Sequence, residues 1–155
     1  MYGLKYLLGL VVLLSAASAV KAAEQPIYDE KADARQQVAA APAAAAKSGK
    51  HVVLVFGANW CPDCHALDAQ MHKEELAALI AKDYVVVKVD VGRFDKNLDV
   101  AEKYRVPIKR GIPALAVLDS HGVLLYAMDQ GQFADARHMS YESIRDFFVK
   151  WEPKR

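Results

Sequence analysis

Cys61 and Cys64 stand three positions apart in the stretch Asn59-Trp60-Cys61-Pro62-Asp63-Cys64-His65-Ala66-Leu67, and they are the only cysteines in 155 residues. The spacing admits two chemistries. A Cys-x-x-Cys pair can cycle between dithiol and disulfide, whereas Cys-x-x-Cys-His is also the short pattern through which haem is attached covalently. The haem reading would draw a second axial ligand from Met71, Met128, Met139, His72, His121 or His138. Structural zinc needs four ligands, and there is no second cysteine pair to complete such a set. A disulfide that closes so small a loop constrains the unfolded chain far less than a long-range bridge. The pair therefore suits turnover better than stapling.

The neighbouring segments decide how the two sulfurs are held. Residues 51–57, His-Val-Val-Leu-Val-Phe-Gly, form an apolar, β-branched run of strand length that should be central and covered on both faces. After it, Cys64, Leu67 and Met71 recur at three and four, as on one helix face, with Pro62 suited to the first helical position. Cys64 then points inward and Cys61 sits at the helix mouth as the more exposed sulfur. There the unsatisfied backbone N–H groups and the positive end of the helix dipole favour a thiolate. A buried strand feeding the motif, in a β-rich core, leaves little room for a macrocycle beside His65.

Downstream, residues 74–82 continue helical and residues 83–92 read as a second buried strand, giving a β-α-β unit with a parallel crossover. Residues 97–104 read as a short helix with Leu98, Val100 and Ala101 inward. Residues 112–119 and 123–128 form two strands joined in an antiparallel hairpin by Ser120-His121-Gly122. Residues 140–151 close the chain as an amphipathic helix, capped by Ser140, with Ile144, Phe147, Phe148 and Trp151 on its apolar side. Upstream, residues 24–50 are Ala-rich. They read as a helix from about Asp29 to Lys47, disturbed at Pro42, with a second half that could equally be a linker and with Ile27, Tyr28, Ala34 and Val38 as contacts. The order implies an α/β fold with a central mixed sheet of about four strands flanked by helices, the domain proper being residues 51–155.

Residues 1–23 combine Lys5, an apolar run from Tyr6 to Leu14, and small residues at Ala17, Ala19, Ala22 and Ala23, the layout of a secretory signal peptide. Cleavage is expected after Ala19, Ala22 or Ala23. The apolar stretch ends near Val20 and is short for a membrane span of about 20 residues. Without this leader, which carries Lys5 and Lys21 and no acid, 18 basic side chains face 19 acidic ones. A near-neutral chain with no basic run has no electrostatic footprint for nucleic acid. Export implies a periplasmic or secreted protein in an oxidising compartment.

The stretches Val-Phe-Gly-Ala-Asn-Trp-Cys-Pro-Asp-Cys (55–64) and Arg-Gly-Ile-Pro-Ala-Leu (110–115) resemble the thioredoxin superfamily, and the resemblance extends over roughly residues 28–152. It is strongest to exported thioredoxin-like or disulfide-isomerase-like members. It implies a thiol–disulfide oxidoreductase, reductase or isomerase, acting on protein or peptide thiols and disulfides without a cofactor. Cys61 would attack and Cys64 resolve, with Trp60, Pro62, Asp63 and His65 supporting. Pro113 takes the place of the family's cis-proline, although it could also simply begin a strand, and the backbone of Ile112 is the expected substrate-pairing group. The family's proton relay, a buried aspartate and a lysine on the next strand, falls on Val55 and Val86 when aligned on the cysteines and Asp90. Asp63, His65 or Asp68 could substitute, or be solvated helix residues. Arg137 and His138 border the substrate face or form an ordinary loop. Asp63 opposes a Cys61 thiolate about as strongly as the helix terminus favours it, which leaves the direction of reaction open. An exported reductase also implies a membrane donor of electrons, and no room is evident for a dimerisation domain, so a monomer is expected. A client-binding module whose disulfide stays shut is the other reading.

Overall fold

Six of the seven residues of β1 (His51–Gly57) are buried, because Val, Leu and Phe alternate to both faces without a polar break. A computed structural model describes residues 25–154 of the chain; the leader expected over 1–23 lies outside them. β1 is hydrogen-bonded on one side, in parallel, to β2 (Tyr84–Asp90), and on the other, antiparallel, to β3 (Ala114–Leu118). β4 (Leu124–Ala127) pairs antiparallel with β3, so the mixed sheet runs β2-β1-β3-β4. β2 therefore occupies an edge and is only partly buried, not the second fully buried strand that its β-branched run suggests. The β3–β4 turn is closed by Asp119, whose Oδ1 accepts from the amides of His121 and Val123 at 2.8 and 2.9 Å.

Helices fill the layers around the sheet. α1 (Ala34–Ala46) begins five residues later than the composition suggests, at an Asp33 cap whose Oδ1 accepts from Gln36 N at 3.0 Å. It runs through Pro42 unbroken because Val38, Ala41 and Ala45 bury one face against β1 and β2. The connection from β1 to β2 is not one helix but two, α2 (Pro62–Met71) and α3 (Glu74–Asp83), with the break at His72–Lys73. In α4 (Leu98–Lys103) Val100 and Ala101 face the core, but Leu98 is 43% exposed. The left-handed Asn97 (φ 52°) at its start turns that first residue outward.

α5 (Tyr141–Lys150) is capped by Ser140, which accepts from Ser143 N, and buries Ile144 and Phe148 completely. Phe147 meets the half-buried Tyr126 edge-on and Trp151 lies tilted against it, ring centroids 5.5 and 5.0 Å apart. Tyr84 Oη donates to the Phe148 carbonyl at 2.6 Å, tying the start of β2 to α5. No helix among the described residues is long and apolar enough to cross a membrane.

Candidate active site

Cys61 is the N-cap of α2: its backbone is still extended (φ −88°, ψ 113°) and its Sγ accepts from Cys64 N at 3.1 Å. Pro62 fills the first helical position, where a missing N–H costs nothing. The two cysteines are disulfide-bonded with their Cα atoms 5.2 Å apart. Both are buried, Cys61 at 3% and Cys64 at 2% exposure, so in this oxidised form the two cysteines barely differ in exposure. The amide that meets Cys61 Sγ now would support a thiolate after reduction. The disulfide uses both sulfurs that a haem thioether linkage would require, and His65 Nε2 lies 2.7 Å from the Asn59 carbonyl.

What covers Cys61 is the loop before β3. The Ile112–Pro113 peptide bond is cis, and the Ile112 carbonyl oxygen lies 3.5 Å from Cys61 Sγ. Gly111, at φ +126°, lets the chain make this approach; a β-carbon there would drive into Ala134. The loop before β3 is thus braced by the loop before α5.

That second loop also supplies the charge partner of Asp63. Asp63 is only 8% exposed, and its Oδ1 accepts from Arg137 N at 3.0 Å and Arg137 Nε at 3.1 Å. Burial alone would raise the carboxyl pKa. The backbone and side-chain hydrogen bonds from Arg137, its charge and that of His138 outweigh burial and hold Asp63 below the ordinary range. Asp63 is therefore not a solvated helix residue, and Arg137 belongs to the site. His138 is exposed and bonded to Asp135.

Asn59 holds the opposite side, and nothing in its neighbourhood of the sequence announces this. Its Oδ1 accepts from Ile27 N (2.9 Å) and Tyr28 N (2.8 Å), and its Nδ2 donates to Tyr28 O (3.0 Å) and Glu30 Oε1 (2.9 Å). The clamp inserts Tyr28 behind the disulfide. A β-carbon added at Gly57 would lie 2.7 Å from Tyr28 Cζ and 2.8 Å from Cys64 Sγ, and closer still to Tyr28 Oη. Only glycine leaves space for that ring. Burial first, then the charges of Asp68 and Asp90, push the Tyr28 hydroxyl well above its usual pKa, so it stays protonated.

The ladder pairs Val55 with Lys88 and Val53 with Val86, so the residue opposite Val55 is a lysine after all. Lys88 Nζ is paired with Asp68 of α2 and lies 5.7 Å from the centre of the Tyr28 ring. Asp68, too, is a partnered side chain. A lone lysine in a β-branched strand was the available signal for this pair. On the outer rim Trp60 is 42% exposed; its Nε1 donates to Gly92 O at 2.8 Å, Phe94 meets it edge-on, and Arg93 lies over its ring at 5.0 Å.

A disulfide of Cys-x-x-Cys spacing at a strand-to-helix junction, faced by a proline loop, defines a thiol–disulfide oxidoreductase. Residues 33–120 match the Thioredoxin-like family, and the chain belongs to it. It is similar to a disulphide isomerase from Xylella fastidiosa Temecula1: 49% identical, TM-score 0.79, covering 83% of this chain and 98% of that one. The germline-specific thioredoxin Deadhead of Drosophila melanogaster is 24% identical with a TM-score of 0.49, over 70% of this chain and 88% of that one. Probable nucleoredoxin 3 of Oryza sativa subsp. japonica is 29% identical over 48% of this chain, which spans only 20% of that protein.

Proposed function

We propose that the chain is an exported reductase or isomerase of polypeptide disulfides, with Cys61 as nucleophile and Cys64 as resolving thiol. The observation that carries this reading is the redox disulfide at the start of α2, with Cys61 Sγ set against the Ile112 carbonyl beside Pro113. Likeness to a disulphide isomerase over almost its whole length supports the choice of substrate.

In the reduced protein, the Cys61 thiolate attacks one sulfur of a substrate disulfide. A mixed disulfide forms, and the other substrate sulfur leaves as a thiolate that takes up a proton. Cys64 loses its proton and attacks Cys61 Sγ, which releases the first substrate sulfur and restores the Cys61–Cys64 disulfide. Two electrons have then passed from the protein to the substrate. An extended substrate strand pairs with the backbone of Ile112, since Pro113 has no N–H to offer. Trp60, Pro62, Asp63 and His65 shape the rim of the site. The Tyr28 hydroxyl is the polar group brought to the buried side of Cys64, with the Lys88–Asp68 pair beyond it.

Residues 1–23 support export with cleavage near Ala19–Ala23, and in that compartment reductase turnover takes its electrons from a membrane-borne dithiol donor. The protein acts as a monomer. The test is the redox equilibrium of residues 24–155 in graded glutathione and dithiothreitol buffers, followed by Trp60 fluorescence and thiol alkylation. A reversible two-electron transition supports the reading; a value near about −270 mV favours a reductase, and one near about −180 mV an isomerase. If no transition occurs, and Cys61→Ser with Cys64→Ser leaves client binding intact, the protein is a binding module instead.

A further inference from the structure

Asp63 stands between the two cysteines in sequence, in the first turn of α2. One of the cysteines gains negative charge on reduction, and like charges at short range oppose ionisation. The fold answers that charge from far along the chain. Arg137 reaches back across 74 residues of sequence to give Asp63 Oδ1 both its backbone N–H and its Nε, at 3.0 and 3.1 Å. The carboxylate is nearly buried while the arginine side chain stays half exposed. A surface guanidinium is thus committed to a group inside the redox motif.

We propose that Arg137 sets the redox potential of the Cys61–Cys64 pair by cancelling the charge of Asp63, so that the dithiol form is reached more readily than Asp63 alone would allow. The proposal deepens the oxidoreductase reading and rests on it. In a glutathione buffer the balanced reaction is protein disulfide plus two glutathione thiols giving protein dithiol plus glutathione disulfide. The S–S bond of the protein breaks, that of glutathione forms, and two electrons and two protons move to Cys61 and Cys64. One proton leaves again where Cys61 ionises. The disulfide is uncharged and the thiolate is not, so fixed charges beside the helix mouth act on the reduced side of the equilibrium.

Arg137 and Asp63 must therefore act with opposite signs. At a separation of about 7 Å, one unit charge changes a thiolate's stability by a factor of about 3 to 50 for effective dielectrics of about 80 to 20. Arg137→Gln should lower the reduction constant in glutathione at pH 7 by a factor in that range, and Asp63→Asn should raise it. A tenfold change corresponds to about 30 mV. The double variant should return to within about threefold of wild type, and Arg137→Lys should stay near it. If Arg137→Gln does not fold, Arg137→Met, which keeps the packing of the stem, carries the same expectation.

A purely structural Arg137 would change stability in both redox forms and leave their ratio alone. The proposal is overturned if Arg137→Gln or Arg137→Met shifts the constant by less than twofold, or in the same direction as Asp63→Asn. A wild-type protein with no reversible transition would instead remove the oxidoreductase reading, so the two failures are distinct.

Discussion

Replacing Asn59 by alanine removes four hydrogen bonds with one side chain. Two backbone amides, Ile27 and Tyr28, lose their acceptor, and the Tyr28 carbonyl and Glu30 Oε1 lose their donor. The Glu30 contact is exposed and water replaces it at little cost. The other three join the chain to a partly buried site, and each is worth about 0.5–1.5 kcal/mol net, so the change should cost about 2–4 kcal/mol. The same clamp seats the buried Tyr28 ring, so the loss should concentrate in the segment before α1. Urea unfolding of the oxidised protein measures the first quantity, as a lowered midpoint at unchanged slope. Tryptic cleavage after Lys31 measures the second and should accelerate in native buffer. Asn59→Asp keeps the acceptor for both amides but loses both donors and meets Glu30, so it should lie between wild type and alanine. A cost below about 0.5 kcal/mol with unchanged cleavage at Lys31 would show that the segment is held by burial of Tyr28 and not by Asn59.

Gly57→Ala drives a methyl group into Tyr28 and Cys64 within the core. It should cost about 2–3 kcal/mol in urea unfolding, and Tyr28→Phe in the same chain should recover part of it, since Oη is the nearest atom. Tyr84→Phe deletes the 2.6 Å bond to the Phe148 carbonyl and should cost about 1–2 kcal/mol by the same assay. The carboxyl of Asp63 titrates below its unfolded value in the fold, so its contribution is complete above about pH 4 and is lost as pH falls through the folded pKa. The stability difference between wild type and Asp63→Asn should hold steady from pH 5 to 7 and shrink below about pH 4. A difference that stays flat down to pH 2 would mean that Arg137 does not favour the ionised carboxyl.

The elements around Cys61 were legible because each carries an undiluted period: the apolar run of β1, the three-four spacing of α2, the hairpin signal at Asp119–Gly122 and the stripe of α5. β2 reads as buried because a run of valines has no face, and only Lys88, which is paired with Asp68 of α2, interrupts it. The same lysine corrects the expected proton-relay positions. Counting back from Asp90 sets Val86 against Val55, while the ladder sets Lys88 there. Register is a property of two strands, and one strand's sequence does not contain it. The cysteines were found by spacing, but Asn59 and Arg137 act on residues some 30 and 74 positions away. Nothing local distinguishes them from an ordinary polar residue and an ordinary loop arginine. Asp63 reads as solvated for the same reason, since its cover comes from Arg137.

One of the two donors to Asp63 is the main-chain amide of Arg137, so Asp63 is tied to the backbone before α5 as well as to a side chain. Seating of that loop and reduction of the disulfide are then two legs of a single thermodynamic cycle. Whatever factor the seated loop contributes to reduction, reduction must return to the seating of the loop. Oxidised and reduced copies differ, on this account, in how firmly the surface beside the active site is held. Amide hydrogen exchange at Arg137, measured in the oxidised and in the reduced protein, reads that difference directly.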